Sequence, residues 1–104
     1  MACHDNKTLW DKLLEDESLS PALRERAHRL ATSIVLLAQG VPFLHSGQEM
    51  QRTKQGEHNS YNLPDRINKL DWSLRKKHKR TYEHVRGLIA LRKAHPVLLS
   101  LIHI

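Results

Sequence analysis

The sequence is short of most residues on which special architectures depend. Its 104 residues contain one cysteine, Cys3, which excludes an internal disulfide and every Cys-rich zinc framework. Four glycines and four prolines without a repeat exclude collagenous and low-complexity chains. Aromatic residues make up only 5% of the chain, too few for a series of base-stacking platforms. The longest wholly apolar run is the five residues Ile34 to Ala38, far below the roughly 20 needed to span a bilayer, so no membrane partner is expected. No apolar stretch follows Met1, so no signal peptide is visible. The eight histidines show neither His-Glu-x-x-His nor any zinc-ligand spacing, and solvated helix faces are their expected place. Neither a metal site nor a cofactor is expected from this chain.

What is present is a basic chain of net charge +6, and the charge is local. Arg75, Lys76, Lys77, Lys79 and Arg80 supply most of it. On a helix these positions wrap the circumference instead of forming one stripe, so a solvated helix beginning is the expectation and nucleic acid is not an expected partner. A small basic helical nucleic-acid-binding module acting through residues 75–80 stands as the alternative from a different class.

Helix signals organise the chain. Thr8 is placed to cap a short helix from Leu9 to about Glu15, with Asp11 three residues on to complete a capping box. Ser20 and Pro21 open a second helix over 21–39, and Gly40 is placed to close it as a left-handed residue. Its stripe Leu23, Ala27, Leu30, Ala31, Ile34, Leu37 and Ala38 is widened by Val35 and Leu36, the pattern of a helix packed between other elements. Val41-Pro42-Phe43-Leu44 reads as a buried strand, followed by the polar turn His45 to Glu49. About 20 residues rich in Asn, Asp and Ser then form a loop of the length usually reserved for function. A last helix, capped by Ser73 and limited by Pro96, carries Tyr82, Val85, Leu88 and Ile89 on one face. A single strand has no partner here, so the pattern is expected to be part of a larger sheet.

Two places carry chemistry. His4-Asp5-Asn6 gathers three strong hydrogen-bonding groups just before the first helix, although Asp and Asn also serve as ordinary turn and cap residues. The stretch Glu57 to Asn68 brings together planar amides, a carboxylate, an arginine and a tyrosine, groups that bond and stack on polyhydroxylated ligands such as sugars. A merely polar loop would have the same composition.

These residues also carry a resemblance. Cys3-His4-Asp5-Asn6-Lys7-Thr8-Leu9-Trp10-Asp11-Lys12-Leu13 resembles a stretch of the type I pullulanases in glycoside hydrolase family 13, the α-amylase superfamily. So does the run from Arg29 through Gly40-Val41-Pro42-Phe43-Leu44-His45-Ser46-Gly47-Gln48-Glu49. Asn59-Ser60-Tyr61-Asn62, Pro64-Asp65, Ile67-Asn68-Lys69-Leu70-Asp71-Trp72 and Gly87 to Pro96 continue the likeness in order. Several ordered matches say far more than one short motif.

The resemblance implies a fragment of a (β/α)8 TIM barrel, from the end of strand 7 to helix 8, whose active-site residues stand at strand C-terminal ends. Isolated, such a fragment should be mostly α-helical with one or few short strands. It implies retaining hydrolysis of α-1,6-glucosidic branch points in pullulan and related α-glucans, starch and glycogen among them, by a nucleophile and a general acid about 5 Å apart. Neither of those residues is matched here. Asp5 matches the family's transition-state-stabilising carboxylate and His4 the histidine that bonds the same sugar ring. Asn6, Asn59, Tyr61, Asp65, Arg66 and Asn68 are the further substrate-binding candidates. The remainder of the barrel is the missing partner, and the chain is expected to be inert and only marginally folded without it. An isoamylase-like specificity stays open, as does a calcium site elsewhere in the parent.

Both ends depart from the family. Met1 falls where strand 7 should be finishing, which suits an internal methionine, so the missing signal peptide says nothing of the parent's compartment. Residues 1–98 are expected to belong to the barrel. Leu99 to Ile104 is expected to be a non-native tail, because codons of a transposon sequencing adapter would encode those six residues.

Overall fold

The computed structural model describes residues 6–99, so His4 and Asp5 and most of the tail lie outside the described residues. Helix α1 is Leu9–Leu14 and α2 is Pro21–Leu37, followed by a 3-10 turn at Gln48–Met50. Short helices α3 (Asp65–Asn68) and α4 (Leu74–Lys77) lead into α5 (Lys79–Ala94), and a second 3-10 turn covers Pro96–Leu98. Helix α2 packs on both α1 and α5, and the Gln48–Met50 turn packs against α5. The Cα radius of gyration is 14.7 Å, against roughly 13 Å for a compact domain of this length. The 47 × 31 × 25 Å body is an elongated slab.

The helix starts follow the sequence closely. Thr8 accepts the Asp11 backbone N–H at 3.1 Å, and Ser20 accepts that of Leu23 at 3.3 Å, with Pro21 in the first turn where its missing donor is harmless. The expected capping box is not completed. The Asp11 side chain turns away from Thr8 to residues 53–56, where it meets two backbone donors and a hydroxyl instead of one donor. At its C-terminus α2 stops at Leu37, and Ala38 is already extended. Gly40 does have a positive φ of 111°, but three residues too late to close the helix. The closing is done by Arg92 of α5, which donates to the carbonyls of Leu36 (2.7 Å), Ala38 (2.9 Å), Leu98 (3.0 Å) and Gly40. The last helix is divided at His78, whose φ of −114° and ψ of 44° leave the helical region. Ser73 does not cap it, because the Ser73 hydroxyl and N–H both bond back to Asp71, which lowers the Asp71 carboxyl's pKa.

The expected strand at Val41–Leu44 is absent, and no β-strand occurs among the described residues. A strand needs a ladder partner, and no described residue lies beside this segment as a strand to supply one. Its side chains alternate even so. Val41 and Phe43 are 86% and 69% exposed, whereas Pro42 and Leu44 turn toward α2 and α5 and line an apolar groove of about 540 Å³ with Leu36, Ile89 and Pro96.

The apolar stripe of α2 faces outward too. Leu23, Leu30, Ile34 and Leu37 are exposed, and the helix buries His28, Thr32 and Leu36 instead. The sequence reading had this stripe packed between other elements, and among the described residues nothing covers it. What α2 turns inward is polar for a core. The Gln48 amide donates to Thr32 Oγ1 at 3.0 Å, and the Thr81 hydroxyl donates to Gln51 Oε1 at 2.6 Å. Met50 and Val85 fill the space between.

His28 is fully buried, contrary to the solvated place expected of the histidines, and its Nε2 donates to the Gln48 carbonyl at 2.7 Å. Trp10 covers it edge-on at 5.9 Å between ring centroids. Burial pushes the His28 pKa down, the Gln48 carbonyl opposes that, and the charges of His78 and Arg29 add to the lowering. Nδ1 has no partner among the described residues, so a proton there would be buried unpaired. Below about pH 6.5 the unfolded chain takes up that proton and the folded chain resists it, so stability is whole above this value. It falls as pH drops toward the lowered folded value, with a slope of up to about 1.4 kcal/mol per pH unit. Urea midpoints of the chain should therefore be lower at pH 5.5 than at pH 7.5. His28→Gln keeps the donor to Gln48 and should flatten the difference, leaving the smaller part due to His78, which burial also lowers. Equal pH dependence in the two proteins would remove His28 as its source.

Candidate substrate-binding site

The sequence candidates are distributed over two segments. Of His4-Asp5-Asn6 only Asn6 is described. It is exposed, and its Oδ1 accepts the Lys7 N–H at 2.8 Å, a turn-forming contact immediately before α1. The second segment is the loop 57–68. Asn59, Asp65 and Arg66 are exposed and Tyr61 is 84% exposed, so an amide, a carboxylate, a guanidinium and a phenol face solvent within eight residues. Such a surface offers donors, acceptors and one stacking ring to a ligand with many hydroxyls.

The loop is irregular but it is tied down at both ends. At its far end the Asn68 side-chain amide donates to the carbonyls of Ser60 at 2.7 Å and Leu63 at 3.0 Å, folding the loop back on itself. Asn68 thus gives its NH2 group to the loop backbone. Arg52 joins this end to the turn after residue 44, donating to the carbonyls of Asn68 at 2.7 Å and Ser46 at 3.2 Å. Burial lowers the Arg52 pKa without discharging a group so basic. At the near end, Lys54 and Gly56 donate their backbone N–H groups to Asp11 Oδ2 at 2.7 and 3.2 Å. Ile67 anchors the middle of α3 in the interior.

The turn under the loop is a tight one. Gly47 has φ of 88° and Gln51 φ of 57°, so the 3-10 turn Gln48–Met50 is bracketed by left-handed residues. Gln51 tolerates that conformation because Thr81 holds its side chain inside the core. Beside this turn, Leu44, His45, Ser46 and Glu49 line a cavity of about 420 Å³ with Tyr82, Val85 and Arg86 of α5.

Sequence reasoning missed Arg52, Gln48, Gln51 and His28, and gave Asp11 a merely local task. One signal was available for Asp11, a carboxylate on the otherwise apolar inner face of α1. Among the described residues no group of three or more His, Cys, Asp or Glu could hold a metal ion, and no helix is long and apolar enough to cross a membrane.

Comparison with known proteins shows what the chain is similar to. No protein-family model matches the chain. The pullulanase of Bacillus subtilis (strain 168) is 56% identical over 97 residues, which take in 89% of this chain and 13% of that protein. The apo pullulanase of Paenibacillus barengoltzii superposes with a TM-score of 0.88 at 51% identity, covering 93% of this chain and 15% of that one. Over that span the chain is homologous to the pullulanases. A further pullulanase, from Anoxybacillus sp. LM18-11 in complex with maltotetraose, superposes equally well at 47% identity, over 94% of this chain and 14% of its own. The chain thus spans about one seventh of the length of the pullulanases it matches.

Proposed function

We propose that this chain is the part of a pullulanase-like catalytic (β/α)8 barrel that runs from the end of strand 7 through helix 8, in an enzyme that hydrolyses α-1,6-glucosidic branch points with retention of configuration. The observation that carries the reading is the high identity to pullulanases across nearly the whole chain. Three features of the fold support it. The outward apolar stripe of α2 suits a helix lying between barrel neighbours. The alternation at Val41–Leu44 is that of a barrel strand whose neighbours are elsewhere. The ligand-suited loop follows that segment's C-terminal end, where barrel enzymes place their sites.

Within this enzyme Asp5 places its negative charge beside the oxocarbenium-like transition state, and His4 hydrogen-bonds the same sugar ring. Asn6, Asn59, Tyr61, Asp65 and Arg66 bind neighbouring hydroxyls of a branched α-glucan such as pullulan, starch or glycogen, with Asn68 holding the loop that presents them. The nucleophile and the general acid come from the missing remainder of the barrel, so the chain alone is inert. The basic residues 75–80 are a solvated surface, exposed on α4 and the start of α5, with Arg75 stacked on Tyr82 at 4.8 Å.

The test is a graft. The matching segment of the Bacillus subtilis pullulanase is replaced by the corresponding residues of this chain, and pullulan hydrolysis is measured for the graft and for the 104-residue chain. The graft is expected to hydrolyse pullulan and the chain alone to leave it intact. A soluble, cooperatively melting graft that leaves pullulan untouched would overturn the reading.

A further inference from the structure

We infer that Asp11 is a positioning residue for substrate, a buried carboxylate that clamps the candidate sugar-binding loop to the segment carrying His4 and Asp5. The inference rests on the function proposed above and adds a residue that touches no substrate. Asp11 is 3% exposed and sits in α1, six residues after Asp5. Its Oδ2 accepts the N–H of Lys54 at 2.7 Å and of Gly56 at 3.2 Å, and its Oδ1 accepts the Thr53 hydroxyl.

The turn it holds would not be stable by itself. Gln55 and Gly56 have successive positive φ values of 56° and 83°, and Gln55 is a residue for which that conformation is unfavourable. A turn of this kind points neighbouring N–H groups into one concavity, a nest that attracts an anion. Here the nest is filled from within the chain. Thr53 Oγ1 also accepts the Gln55 N–H at 3.0 Å, and the Lys54 carbonyl accepts the Glu57 N–H at 3.1 Å, so the carboxylate fixes the whole turn leading into the loop. Asn68 and Arg52 secure only the other end. Without Asp11 the near end would lose these three hydrogen bonds to α1, and Asn59 and Tyr61 would be held less firmly relative to that helix.

A loop that binds sugar hydroxyls alike in ground and transition states governs KM, not kcat. In the active graft, Asp11→Ala is expected to raise KM for pullulan about tenfold while kcat stays within about threefold. Asp11→Asn retains one oxygen for the two backbone donors and should recover much of the lost affinity. A residue that merely supported folding would reduce the active fraction, and so apparent kcat, with KM unchanged. In the graft, hydrogen exchange at the Lys54 and Gly56 amides should be slow and should accelerate at least about tenfold in Asp11→Ala. The clamp is overturned by a KM within twofold of the parent graft, by a loss confined to kcat, by no recovery in Asp11→Asn, or by fast exchange at both amides in the folded parent graft. An inactive parent graft counts instead against the proposed function, and the exchange measurement still decides the clamp.

Discussion

Asp5→Asn in the grafted enzyme is expected to lower kcat on pullulan by about a thousandfold or more, with KM changed only a few-fold. Asparagine has nearly the volume of aspartate and still offers hydrogen bonds to sugar hydroxyls, so the bound substrate should feel little difference. What it lacks is the negative charge. In retaining glycoside hydrolysis the sugar ring becomes cationic only on the way to and from the covalent intermediate. A fixed carboxylate in a water-poor pocket acts on that charge selectively, and a factor of a thousand corresponds to about 4 kcal/mol. Steady-state kinetics on pullulan with the parent graft as reference provides the measurement. A kcat within tenfold of the parent would mean that Asp5 does not face the developing charge, and that the carboxylate role lies elsewhere.

Among Gly47, Gly56 and Gly87, Gly47 is the glycine where an added methyl group, as in Gly47→Ala, should do the most damage, since the other two face open space. At φ of 88° any side chain is strained, at a cost of about 1–3 kcal/mol. Space is missing as well, since an added Cβ would stand 2.9 Å from both Cβ and Cδ of Arg52 and from Cδ2 of Leu70. The leucine methyl can rotate aside, but the arginine Cβ is fixed to the backbone of the turn. Moving it would disengage the guanidinium from the Ser46 and Asn68 carbonyls, so steric and polar losses add. A fall in urea stability of at least about 3 kcal/mol is expected in the graft, with loss of pullulan hydrolysis at temperatures the parent tolerates. A variant melting within about 2 °C of the parent, less than even about 1 kcal/mol would produce, would show that the turn relaxes around the methyl group.

Much of the helical framework was legible because its signals are local. Ser20-Pro21 and Thr8 act within one turn of themselves, and their effects are visible without the rest of the fold. The ends of helices were harder to read, since α2 is closed by Arg92, more than fifty residues away. The strand at Val41–Leu44 failed for a related reason. Its pattern is that of a strand, but hydrogen bonds between strands require a neighbouring strand, and none occurs among the described residues. The apolar stripe of α2 was likewise real and pointed the other way. At the candidate site, the exposed polar and aromatic groups of the loop could be picked out from residue type alone. Of the residues that hold it, Asn68 was a candidate for another role and Asp11 showed only as a carboxylate on an apolar face, whereas Arg52 acts through backbone carbonyls, which leave no trace in side-chain composition.

The double fastening of the loop also separates its length from the rest of the fold. Gln39 donates to the Val97 carbonyl 58 positions on, so residues 39–97, with the loop and α5 among them, are closed into one large ring. The entropy of closing a flexible ring grows only logarithmically, and even doubling the number of residues would cost roughly 0.6 kcal/mol more. The exposed stretch between the Asp11 turn and Asn68 can therefore lengthen or shorten with almost no thermodynamic resistance from the helices beneath it. In the function proposed above, this is the stretch in which reach toward longer or more branched glucans is free to vary while the scaffold stays as it is.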